Sequence, residues 1–65
     1  MHLKVNGKEV FTNAKTLSGL ILELEIPTKG VALAVDNEIV SNREWNTFEL
    51  KQGADIVVIS ATRGG

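Results

Sequence analysis

One apolar stripe decides most of what this chain can become. Leu17, Leu20, Ile21 and Leu24 recur at i, i+3, i+4 and i+7, the spacing of a single buried helix face. Thr16 is placed to cap that helix, because its hydroxyl can accept from an amide of the first turn. Pro27 marks the stop. Gly19 weakens the helix by about 1 kcal/mol relative to alanine, and a close approach to a sheet is the expected reason for it. The other large apolar residues fall mostly in short runs that read as strands, so the helix must find its partner in a sheet.

The strands are bounded by turn residues. Asn6-Gly7 stands between two extended segments, His2 to Asn6 and Lys8 to Thr12, and is the strongest short-range hairpin signal because a type I′ turn needs positive φ at both central positions. Leu3 and Val5 share one side, and Val10 and Thr12 share a parity that Phe11 breaks. After Lys29-Gly30, Val31 to Val35 places Val31, Leu33 and Val35 on one side and Ala32 and Ala34 on the other. Asp36-Asn37 turns the chain into Glu38-Ile39-Val40. Ser41 to Asn46 is polar apart from Trp45 and reads as a turn or short helical loop. Phe48 and Leu50 alternate, Gln52 to Asp55 turns again, and Ile56 to Ile59 is the last strand.

Hairpin, helix and strands in that order give an α+β domain with a mixed four- to five-stranded sheet packed on one main helix. The crossover through the helix lets the last strand lie parallel to the first, which is the β-grasp or ubiquitin-like arrangement. At 65 residues there is room for one such domain, expected over residues 1–60, followed by a flexible tail at 61–65. One helix covers one face only. Ile56 and Val58 are therefore expected in the core, with Val57 and Ile59 facing outward beside Ala32 and Ala34. Such a patch is a docking surface for a partner, or simply the ordinary composition of a strand.

Composition removes most other functions. A net charge of -1, with seven basic residues spread from Lys4 to Arg63, offers no cationic cluster for nucleic acid. The absence of cysteine excludes disulfides, thiolate catalysis and cysteine-ligated zinc. His2 is the one imidazole and has no companion at ligand or triad spacing. Glu23 and Glu25 are two positions apart on the helix and do not face each other. No glycine-rich phosphate loop occurs, so no cofactor is expected on this chain, and any ATP must be bound by a partner. Trp45 and Phe48 lack basic interleaving and are expected to pack. No apolar stretch approaches the ~20 residues of a membrane span. The N-terminus lacks a secretory pattern, and the expected location is the cytoplasm. The chain is not expected to be an enzyme.

The ending is different. Gly64 and Gly65 close the sequence a few residues after an apolar strand. Without Cβ atoms they can thread a narrow channel and leave the terminal carbonyl unhindered. Arg63 can anchor the tail to a partner's carboxylate. A carboxylate becomes an electrophile only when its oxygen becomes a leaving group, which adenylation by a partner's ATP site would supply. Sulfur could then replace AMP, giving a thiocarboxylate.

The run from Val31 to Val40 (VALAVDNEIV), then Arg43-Glu44-Trp45, Leu50 to Asp55 and the closing Gly64-Gly65, resembles the sulfur carrier family of thiamine biosynthesis. The likeness extends to Thr16 through Ile21 and covers essentially the whole chain. It implies a β-grasp protein adenylated at Gly65 by an E1-like adenylyltransferase, thiocarboxylated with the help of a sulfur-donor enzyme, and used by thiazole synthase. Gly64 would be the penultimate residue in the partner's tunnel. Ser41-Asn42 stands where the family commonly has a proline, and Thr62-Arg63 where it often has smaller or apolar residues; the latter makes an ending similar to that of ubiquitin. A carrier for molybdopterin or another sulfur pathway, a protein modifier and a plain interaction domain remain as alternatives.

Overall fold

Asn6 and Gly7 have φ of 54° and 81°, the left-handed pair that a type I′ turn requires. Gly7 enters that region without a Cβ clash, and asparagine is among the few other residues that tolerate it. The turn folds β1 (His2–Val5) against β2 (Lys8–Phe11), with His2 opposite Phe11 and Leu3 opposite Val10. That register settles the parity of Phe11, whose ring points away from the core and is largely exposed. The computed structural model describes residues 1–60 of the chain; the expected tail at 61–65 lies outside them.

Helix α1 (Leu17–Leu24) shows how a helix of only eight residues can persist. Isolated helices this short are marginal in water, and the N–H groups of a first turn lack intrahelical acceptors. Here the first three find acceptors outside the helical ladder, and the fourth begins it. Leu17 donates to the Phe48 carbonyl at 3.2 Å and Ser18 to the Trp45 carbonyl at 3.0 Å. Gly19 donates to Thr16 Oγ1 at 3.3 Å, as expected of the cap, and Leu20 donates to the Thr16 carbonyl at 3.0 Å. The loop between Trp45 and Leu50 is thus part of the helix terminus. At the other end Glu25 takes a left-handed φ of 57°, and Ile26 N–H donates back to the Ile21 carbonyl at 3.0 Å, closing the helix before Pro27 is reached.

Two expectations about α1 need correction. Leu17, Leu20 and Ile21 are buried, but Leu24 is 36% exposed, because the helix ends there and its side chain sits at the rim. Gly19 does not mark a close approach to the sheet. A Cβ at that position would lie 3.3 Å from Ala14 Cβ and 3.7 Å from Thr16 Oγ1, so the tight neighbour is the chain entering the helix.

Strands β3 (Val31–Val35) and β4 (Glu38–Val40) form a second hairpin, with Asp36 and Asn37 at φ of 51° and 73°. β5 (Asp55–Ser60) is one residue longer at each end than the sequence pattern predicts. It runs parallel to β1 and antiparallel to β3, and the sheet order is β2-β1-β5-β3-β4. The last strand is therefore central. Leu3, Leu33 and Ile56 from the three middle strands join Leu17, Leu20 and Ile21 of α1 in one core. Trp45 packs into it as expected, its Nε1 donating to the Val40 carbonyl at 3.0 Å. Thr12 is buried and satisfied: its hydroxyl donates to the Glu23 carboxylate and accepts from Ala14 N–H.

Truncating Leu20 tests this core. Leu20→Ala should lower unfolding stability by about 2–5 kcal/mol through lost burial and an unfilled cavity. Urea titration followed by Trp45 fluorescence measures it, and an unchanged midpoint would contradict the packing described.

Candidate functional site

The sheet has a second face that α1 does not reach. β5 alternates across it. Ile56 is buried and Val58 partly buried on the helix side, while Val57 and Ile59 are 37% and 44% exposed on the other. Register places Ala34 opposite Val57 and Ala32 opposite Ile59. The outward parity expected for these four residues therefore agrees with the observed pairing.

Two details differ from the sequence reading. Ala34 is buried at 7%, so it is not part of the exposed surface. It lies between Val57 of β5 and Ile39 of β4, and its short side chain forms a floor between two larger ones. Ile39 is the residue that reasoning from sequence missed, and at 65% exposure it is the most prominent apolar group of the patch. The signal was present. A two-residue turn at Asp36-Asn37 fixes the hairpin register and sets Ile39 opposite Ala34. The assembled patch is Ile39, Val57 and Ile59, with Ala32 partly buried among them.

Charged residues border the patch toward β1. Lys4 pairs in register with Asp55, and both are exposed. Beyond them His2 Nε2 lies 3.1 Å from Glu9 Oε1, and the His2 and Phe11 rings are 6.3 Å apart between centroids. Phe11 is thus a separate apolar spot at the far edge of the sheet.

Other chemistry is sparse among the described residues. They contain no group of three side chains able to hold a metal ion. A depression of about 360 Å3 has Asp36, Glu38, Phe48, Glu49 and Lys51 in its lining. It contains no imidazole or thiol and opens to solvent. No helix among these residues is long and apolar enough to cross a membrane. Arg63, Gly64 and Gly65, the residues expected to carry the chemistry, lie outside the described residues. β5 ends at Ser60, and the sequence continues from there directly into residue 61.

A mixed five-stranded sheet on one helix, with its final strand central and parallel to its first, defines the β-grasp class. A crystal structure of a thiamine biosynthesis protein (ThiS) from Geobacter metallireducens shares this fold with a TM-score of 0.85, covering 100% of both chains at 20% identity. A search of curated proteins finds no match. The model of the ThiS family matches residues 3–65, and the chain belongs to that family. It is a family of sulfur carriers, proteins that work with E1-like and sulfur-transfer enzymes and are not enzymes themselves.

The outward residues support little of the fold. Ile39→Ser and Ile59→Ser should each change stability by less than about 1 kcal/mol, since neither leaves a buried cavity. Thermal unfolding of the two variants checks this; a loss as large as that expected for Leu20→Ala would show the patch to be core.

Proposed function

We propose that this carrier transports sulfur on the carboxyl group of Gly65 for construction of the thiazole of thiamine. The observation that carries the reading is the family match, which runs through Gly64 and Gly65 to the last residue of the sequence. The fold supports it by bringing β5, exposed on one face, to within five residues of that carboxylate.

The steps follow from carbonyl chemistry. An E1-like adenylyltransferase supplies the ATP site. The Gly65 carboxylate attacks the α-phosphorus, pyrophosphate leaves, and an acyl-adenylate results. Sulfide sulfur provided through a donor enzyme attacks the acyl carbon, the bond to the phosphate oxygen breaks, and AMP departs. The resulting thiocarboxylate is a soft nucleophile that thiazole synthase uses in a site closed to water. Gly64, lacking a side chain, passes through the partner's channel, and Arg63 pairs with a carboxylate on its wall.

Val57, Ile59 and Ala32 supply the docking face, with Ile39 added and Ala34 as its floor. An apolar patch on a rigid central strand suits repeated, reversible encounters with several partners. The expected setting is the cytoplasm, where ATP and these enzymes meet. The alternatives share parts of this picture. Molybdopterin carriers use the same tail chemistry, and a modifier would form isopeptide bonds to lysines of other proteins.

Incubation with the cognate adenylyltransferase, ATP and a sulfur donor should raise the intact mass by the difference between sulfur and oxygen. No mass change under competent conditions would remove the carrier function, and recovery on target lysines would favour a modifier. Activity with thiazole synthase but not with molybdopterin synthase separates the two sulfur pathways. Deleting Gly65 should abolish activation while leaving the unfolding midpoint unchanged; a chain that unfolds on deletion would make the tail structural.

A further inference from the structure

β5 outruns its neighbour on one side. Its pairing with β1 reaches Val5 opposite Ile56, whereas β3 accompanies it to Ser60 opposite Val31. Asn6 N–H adds one more rung on the β1 side, donating to the Ile56 carbonyl at 2.8 Å. The next rung of a parallel ladder would run from Val58 N–H to the Asn6 backbone carbonyl. At Asn6, however, φ is 54° and the chain has begun its turn. Val58 N–H donates instead to Asn6 Oδ1 at 2.8 Å, across 52 positions of sequence. The side-chain amide fills the place that the turned backbone leaves. Few residues can do both things, since the position demands a left-handed backbone and a short side chain ending in an acceptor.

We propose that Asn6 is a positioning residue for the carrier's C-terminus, its side chain holding β5 at Val58 so that the strand is fixed as far as its end at Ser60. The inference rests on the sulfur-carrier reading, because a fixed strand end matters only when a partner must capture the terminus. Val58 is two residues before the end of β5. With a hydrogen bond on the β1 side at Val58 and pairing to β3 on the other, the end of the strand is ordered before any encounter. A partner then has less freedom to remove on binding.

Two substitutions separate this role from the turn. Asn6→Gly retains a type I′ sequence but removes the acceptor; Asn6→Asp restores an acceptor at the same reach. In Asn6→Gly, hydrogen exchange at the Val58 amide should accelerate about three- to tenfold, the scale of one partly exposed hydrogen bond. The KM for the carrier in thiocarboxylate formation should rise severalfold at unchanged kcat. Asn6→Asp should return both values toward the wild type. A wild-type KM in Asn6→Gly despite faster exchange at Val58 would overturn the proposal. So would unchanged exchange there, or an equal acceleration at every amide, which would assign Asn6 to the turn alone. A wild-type chain that is never thiocarboxylated would remove the carrier reading and this inference with it, whatever Val58 does.

Discussion

A helix of eight residues can dry only one face of a five-stranded sheet, and the rest of the molecule is arranged around that limit. The covered face takes the large aliphatic side chains and Trp45. The helix in turn depends on residues about thirty positions further along, because the carbonyls of Trp45 and Phe48 accept from its first turn. Without them two amide donors would face the protein interior unpaired, at a cost comparable to a lost buried hydrogen bond. The second face has no such cover. Being central, β5 must be apolar toward the helix at Ile56, yet it is also apolar outward at Val57 and Ile59. Folding requires the first of these. The second leaves Val57 and Ile59 partly open to solvent.

What could be read from the sequence was whatever depends on neighbours in the chain. Asn6-Gly7 and Asp36-Asn37 turn the backbone through left-handed positions, and both hairpins formed where those pairs stand. The helix face was legible through its period, and the Thr16 cap through its chemistry. Contacts between distant segments were not. The tight neighbour of Gly19 is Ala14, a geometry set by how the chain enters the helix. The exposure of Ala34 is set by Val57 and Ile39 from two other strands, which parity along β3 alone does not identify. Asn6 could be read as a turn residue, while its bond to Val58 depends on which strand lies beside β1. The terminal glycines were conspicuous for their lack of side chains. The chemical role proposed for them rests on resemblance to a family, and the match over residues 3–65 establishes membership in that family.

The Geobacter metallireducens protein shares the fold with only 20% of its residues identical. What two such chains must hold in common is a pattern: helix period, turn positions, and a last strand apolar enough to be central. Many sequences satisfy that pattern, because cores accept varied apolar residues of suitable volume.

The central place of β5 also governs how the molecule is made. A ribosome delivers β1 to β4 before β5, and until β5 arrives both β1 and β3 present unpaired inner edges. The two hairpins cannot join into one sheet earlier, because the strand that lies between them is the last to be synthesised. A chain broken off before β5 therefore leaves those edges open to proteases and to association. The two hairpins are therefore joined only once the chain has been made through Ile56 to Val58, the residues that bond to β1 on one side and pair with β3 on the other.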